Sequence, residues 1–249
     1  MSKRVEPHGG SLSVLYLPAA AAAEAKRESV DLPSWALTQR QLCDIKLLLN
    51  GGFSPLTGFL SESDYDHVVE TMRLADGTLW PLPITLDVTA AAAEPLSVGD
   101  RLALRDHEGW LIAILSVESI WRPDKRREAE LVYGSADEEH PGVDSLLNRT
   151  HPVYLGGRLE GVEKSGDHDF VQHRHDPAEL RRVFDQRGWS RVIAYQTRTP
   201  MHRAHQELAA RAAQRLEANL LIHPVVGMTQ PGDIDHFSRV RCYEHVLKR

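Results

Sequence analysis

The spacing of apolar residues along the 249-residue chain predicts helices first, short strands next, and an alternation of helix and strand last. Ala19 to Arg27 is alanine-rich and predicts a short helix from propensity alone. Leu42, Ile45 and Leu49 recur at helical spacing behind Thr38, whose hydroxyl can cap the helix, and Asn50-Gly51-Gly52 stops it. Ser61 to Met72 predicts a further helix with Ser61 or Ser63 as its cap. The pattern then shortens. Ile84 to Val88, Arg101 to Leu104, Trp110 to Val117 and Ser119 to Trp121 read as strands broken by Gly, Pro and Asp, which together suggest a small β-barrel. Arg105-Asp106-His107-Glu108-Gly109, polar and Gly-ended between two of these runs, reads as a hairpin turn. Asp124 to Glu130 is a charge run on a helix and predicts a solvated face.

The last third changes character at Asp176, which can cap a helix with Pro177 at its first position; that helix runs to Arg187 and ends at Gly188. Val192-Ile193-Ala194-Tyr195 is an apolar strand, Ala204 to Leu216 an amphipathic helix, and Asn219 to Gly227 a buried-strand pattern. His236 to Lys248 closes the chain as a helix. Strand, helix and strand in this order predict a parallel pair with a right-handed crossover.

Composition narrows the picture without redirecting it. The chain is 42% hydrophobic and 26% charged, ordinary for one or two globular domains. A net charge of −6 argues against a general nucleic-acid or membrane-surface binder, which would need a basic face. Two unpatterned thiols, Cys43 and Cys242, and the lack of a signal peptide or a long apolar run predict a cytoplasmic protein.

The chemistry concentrates in Gln196-Thr197-Arg198-Thr199-Pro200-Met201-His202-Arg203-Ala204-His205, between the first strand and the helix of the last third. Thr199 can cap that helix and Pro200 presets its first φ, so the helix is expected to begin at Pro200. His202 and His205 then share one face of its first turn. Free amides, the positive end of the dipole, two imidazoles and Arg198 would converge at the carboxyl edge of the strand, a setting that suits phosphate or sulfate. Helical zinc pairs prefer an i, i+4 spacing beside an acid, so no metal site is assigned here. Nor is one assigned to Glu138, Glu139, His140 and Asp144, or to Asp167-His168-Asp169 and His173-Arg174-His175, whose spacings follow no ligand pattern. Arg239 and Arg241 on the final helix are either phosphate ligands or surface residues.

At the Gln196–His205 stretch the chain resembles the ATP sulfurylases (sulfate adenylyltransferases), whose signature runs Gln-x-Arg-Asn-Pro-x-His-Arg-x-His. The resemblance extends through Gly52 to Leu60, Leu79 to Leu86, Tyr154-Leu155-Gly156-Gly157 and Gly227-Met228-Thr229-Gln230-Pro231-Gly232-Asp233. It is nearest the bacterial form in which the sulfurylase precedes an adenylylsulfate kinase domain. It implies an α/β protein, α+β overall: a PUA-like β-barrel domain over 1–165, then the first half of a Rossmann-like nucleotidyltransferase domain over 166–249.

The resemblance further implies the reaction of ATP and sulfate to adenylylsulfate and pyrophosphate, with Mg²⁺ on the nucleotide. Gln196 and Arg198 would hold sulfate, His202 and His205 the β- and γ-phosphates, and Thr197 and Thr199 would line the reacting phosphate. The partners implied are these small molecules and further copies of the chain, with neither nucleic acid nor membrane. Two departures stand out. Thr199 replaces the family's Asn, from which weakened or lost catalysis is expected, and the adenosine-holding Gly-Arg-Asp-His-Ala-Gly segment does not occur before Arg249. A nucleotidyltransferase with another acceptor and a non-catalytic anion-binding or assembly module are the alternatives.

Overall fold

Helices in the first part of the chain begin where a side chain can take up the orphan amides of a first turn. In the computed structural model, which describes residues 5–164, 169–226 and 232–248, α1 (Ala19–Glu28) is followed by α2 (Gln39–Leu49) and α3 (Glu62–Thr71). Thr38 accepts from the Gln41 amide while the Gln41 side chain accepts from the Thr38 amide, a complete capping box. Ser61 caps α3 through the Asp64 amide. Ile45, Leu48 and Leu49 of α2 and Tyr65, Val68 and Val69 of α3 turn inward and join the main apolar core.

That core lies against a sheet of six strands: β1 (Ser34–Ala36), β2 (Gly58–Phe59), β3 (Leu86–Val88), β4 (Arg101–Arg105), β5 (Leu111–Trp121) and β6 (Val153–Gly161). Their order is β1-β4-β5-β6-β2, and β3 also pairs with β6. Residues 34–36 carry no strand signal in sequence, yet they lie parallel to β4. The two runs predicted on either side of Glu118 are one strand, interrupted by an irregular register between Val117 and Ser119. The 105–109 segment is the turn between β4 and β5, held by Asp106 Oδ1, which accepts from the amides of Glu108 and Trp110.

The glycine-containing motifs near Gly58 and Gly156-Gly157 meet here. Phe59 pairs with Gly157 across β2 and β6. A Cβ on Gly156 would stand 2.2 Å from the Leu60 carbonyl, and one on Gly157 would stand 2.0 Å from that of Ser116. These motifs are therefore conditions for strand approach, and no chemistry need be assigned to them.

Short helices α4 (Ala90–Ala93), α5 (Lys125–Glu128) and α6 (Pro141–Asp144) complete this part. The charge run on α5 is not wholly solvated. Glu128 is 7% exposed and accepts hydrogen bonds from Tyr65 (2.9 Å) and Tyr154 (3.3 Å). Asp87 is likewise buried, accepting from the Gln41 side chain, the His151 amide and Arg40. Both satisfy the rule that an interior charge needs partners.

The chain divides into two compact units, residues 6–178 and residues 179–249, the latter also taking in Val5. The second contains most of α7 (Pro177–Gln186), then β7 (Val192–Thr197), α8 (Arg203–Arg215), β8 (Asn219–Pro224) and α9 (His236–Leu247). β7 and β8 run parallel in register from Val192↔Asn219 to Thr197↔Pro224, as the strand–helix–strand pattern predicts. Met201, Ala209 and Tyr243 form its core, with Tyr195, Leu220, Ile222 and Val246 packed around them.

Burial raises the Glu128 carboxyl above its usual value of 4.5, outweighing the two tyrosine hydrogen bonds and the nearby Lys125 and Arg40 charges that pull it down. An acid whose pKa is higher folded than unfolded binds more protons in the folded state, so its contribution to stability falls as pH rises through that interval. In urea unfolding, Glu128→Gln is expected to improve relative to the parent as pH rises from about 4.5, with no change in their difference at lower pH. A difference independent of pH would show that Glu128 titrates alike in both states.

Candidate functional site

The stretch that carries the chemistry lies between the end of β7 at Thr197 and the start of α8 at Arg203. The helix begins three residues later than the sequence suggests, and its N-cap residue is His202. The reason is local. Thr197 Oγ1 accepts from the Thr199 amide (3.2 Å) and donates to the Thr199 carbonyl (3.0 Å), closing a tight turn before any helix can form. The Thr197 hydroxyl thus closes a turn ahead of the helix, and Thr199 caps nothing. Met201, 7% exposed, then anchors the chain in the core of the unit, and the helical bonds start with the amides of His205 and Gln206 onto the His202 carbonyl.

This start leaves α8 without a side-chain cap. The two imidazoles stand together at it, ring centroids 4.0 Å apart and planes 30° from each other. His202 is exposed and His205 half-buried, with Tyr195 6.1 Å away on the strand. His205 Nδ1 is buried with no hydrogen-bond partner among the described residues. Gln196 and Thr199 are exposed, whereas Thr197 is turned inward. Adjacent strand residues point to opposite faces, so Gln196 and Thr197 could not both face one ligand as strand side chains.

Arg198 is held at both ends. Its guanidinium donates from Nη2 to Asp233 Oδ2 at 2.8 Å, and its carbonyl accepts from Arg239 Nη1 at 2.9 Å. The same Arg239 nitrogen donates to the Val225 carbonyl at 2.7 Å, and Tyr243 donates its hydroxyl to the Thr199 carbonyl at 2.7 Å. Sequence reasoning left Arg239 as a phosphate ligand or a surface residue. It is not a surface residue: it is 2% exposed, and its Nη1 donates to two backbone carbonyls. Arg241 is exposed and lines a groove of about 360 Å³ with Met201, Gln206, Cys242, His245 and Val246, which includes neither His202, His205 nor Arg198. Asp233 and Tyr243 were assigned no part in the site. Only the Gly227–Asp233 motif hinted at the first, and no local signal marks the second.

The remaining polar clusters have structural uses. His140 caps α6 by accepting from the Gly142 amide, Glu138 and Asp144 accept from Asn148, and Asp169 pairs with Arg174. Asp167 and His168, and the Gly227–Pro231 part of the last motif, lie outside the described residues. The described residues contain no group of three or more His, Cys, Asp or Glu side chains that could hold a metal ion.

An uncapped helix start, two imidazoles in close contact and an arginine beyond the end of a parallel strand make up the candidate site on this α/β unit, a set of donors and positive charge whose chemistry suits an anion. Comparison with known proteins gives the family. Residues 5–164 match the family model described as PUA-like domain, and residues 171–249 match that described as ATP-sulfurylase. The chain belongs to the PUA-like family, which its model matches over nearly two thirds of the sequence, and its last third is similar to the ATP-sulfurylase family. A sulfate adenylyltransferase of Aspergillus fumigatus is 52% identical over 247 residues, 98% of this chain and 43% of that one. One of Schizosaccharomyces pombe is 53% identical over 228 residues, 91% and 46%. A solved structure titled hexameric APS kinase from Thiobacillus denitrificans superposes with a TM-score of 0.80 at 36% identity, covering 98% of this chain and 44% of that one. The chain thus spans less than half the length of these relatives.

Thr197 offers a direct test of the turn. Thr197→Val keeps the shape but leaves the Thr199 amide without its acceptor, which should destabilise the second unit by about 1–2 kcal/mol in thermal unfolding, whereas Thr197→Ser should restore the parent value. Equal stability in all three would show that the hydroxyl does not hold the turn.

Proposed function

We propose that this chain carries the sulfate and pyrophosphate side of a sulfate adenylyltransferase site, acting on ATP and sulfate to give adenylylsulfate and pyrophosphate. The observation that carries this reading is the close His202–His205 pair at the uncapped start of α8, with Arg198 on the preceding loop. The similarity to proteins named sulfate adenylyltransferase supplies the substrate class. In this reading a sulfate oxygen attacks the α-phosphorus, the bond from that phosphorus to the bridging oxygen breaks, and pyrophosphate leaves with the electron pair. Sulfate is already an anion, so the protein has to align the reactants and neutralise charge, and no side chain has to remove a proton.

Gln196 and Arg198 bind sulfate, with Arg198 sharing its donors between sulfate and Asp233. His202 and His205 bind the β- and γ-phosphates and stabilise the departing pyrophosphate together with the helix start. Thr199 lines the reacting phosphate. Thr197 contributes by shaping the turn, since its hydroxyl is engaged there. Mg²⁺ enters as part of the nucleotide substrate, held by triphosphate oxygens. We also infer a division of labour near residue 165, supported by the family matches that end at 164 and resume at 171. Assembly into a homo-oligomer is supported by the hexameric title of the structural relative. A cytoplasmic setting is in keeping with the use of ATP; separately, no helix among the described residues is long and apolar enough to cross a membrane.

The test is ATP formation from adenylylsulfate, pyrophosphate and Mg²⁺. His202→Ala is expected to lower kcat by about 100-fold, the scale seen when one charge-stabilising donor is removed. Thr199→Asn is expected to raise it, because the Thr199 side chain is exposed and a carboxamide there adds donors toward the reacting phosphate. A folded chain that forms no ATP in any of these versions would leave the non-catalytic anion-binding module as the function.

A further inference from the structure

We propose that Arg239 and Tyr243 are positioning residues for the anion-binding loop, acting from α9 on the backbone of Arg198 and Thr199. The two lie one helical turn apart, and both are buried, at 2% and 4% exposure. Arg239 Nη1 donates to the Arg198 carbonyl and, beyond the last strand pair, to that of Val225, while Tyr243 donates to the Thr199 carbonyl. Two consecutive loop carbonyls are thereby drawn to the same helix. A peptide unit is planar, so holding its oxygen while its neighbours are held in β7 and by Met201 restricts the turn of that plane, and with it the directions in which the Arg198 and Thr199 side chains leave the chain.

A second observation gives Arg239 more than a structural part. Its hydrogen bonds among the described residues go to carbonyl oxygens, and its Nε is buried without a partner. No carboxylate there neutralises it. A guanidinium always carries its charge, so a positive charge is retained under the loop, shielded from water, where it adds to the field that Arg198, the histidines and the helix start present to an anion. Surface cations would be screened by salt to a far greater extent. Arg239 therefore both holds the loop and biases it toward anions without touching the ligand.

The catalytic part of this inference rests on the adenylyl-transfer reading, so the experiment combines a kinetic and a structural readout. Tyr243→Phe removes one hydroxyl and keeps the ring in the core; Arg239→Lys keeps the charge and loses the fork. Val246→Ala, which thins the same core without a bond to the loop, is the control for general loosening. ATP formation is measured from adenylylsulfate and pyrophosphate with Mg²⁺, well below each variant's Tm, alongside hydrogen exchange of the peptides spanning 196–205.

Tyr243→Phe is expected to lower kcat about 3- to 10-fold, the equivalent of one hydrogen bond, with the KM for adenylylsulfate within about 2-fold of the parent. Exchange across 196–205 should quicken in Tyr243→Phe and Arg239→Lys. Val246→Ala should lower Tm yet leave kcat and this exchange close to the parent. Parent-like exchange of the loop in Tyr243→Phe would overturn the proposal, whether or not Arg239→Lys folds; so would equal quickening in Val246→Ala. A parent chain that forms no ATP counts against the adenylyl-transfer reading alone, because the exchange data still decide the clamp.

Discussion

A loop that leaves its strand and turns before any helix begins must find donors for its carbonyl oxygens elsewhere in the fold. This constraint organises the second unit. The loop after β7 uses three donors to meet it: the Thr197 hydroxyl from within the loop, and the Arg239 guanidinium and Tyr243 hydroxyl from α9. Each faces a carbonyl of the loop that would otherwise lack a donor. Helix α9 is thus part of the loop's construction through the donors of Arg239 and Tyr243, and Met201 contributes by fastening the loop's middle into the same core.

The first unit solves a different problem, that of closing short strands around a small core. Its distinctive motifs are spent on distance. Gly58, Gly156 and Gly157 permit backbones to approach where a methyl group would collide with a carbonyl. Buried charges are handled by networks: Asp87 accepts from three residues and Glu128 from two tyrosines. Such networks specify which helix docks on which strand, since a substitute packing would strand a charge in the interior.

How much of this was legible depended on how far apart the cause and the effect lie in sequence. Thr38 and Ser61 were readable as caps because a hydroxyl and its amide are three residues apart, and the 105–109 turn because Asp106 and Gly109 carry its geometry. The parallel β7–β8 pair followed from the period of the apolar residues. At Thr199-Pro200 the same local rules gave a helix start that the chain does not make, since Thr197, two residues back, takes the Thr199 amide first. The parallel strand at 34–36, the burial of Glu128 and the inward turn of Arg239 depend on partners found only after folding. Charged residues on a periodic helix look alike whether they face water or a carbonyl. The motif histidines and Arg198 could be singled out in advance; the residues that aim them could not.

The contacts on the loop backbone come from 41 and 44 residues downstream, and the one on the Arg198 guanidinium from 35. During synthesis β7, α8 and β8 all precede α9, and their own contacts are shorter in range. The chain can pair its strands and wind its helix before anything holds the loop's carbonyls. The donors to those carbonyls are then acquired only when α9 docks, and a nascent chain short of Tyr243 would hold β7 and α8 without the bonds that α9 brings to Arg198 and Thr199.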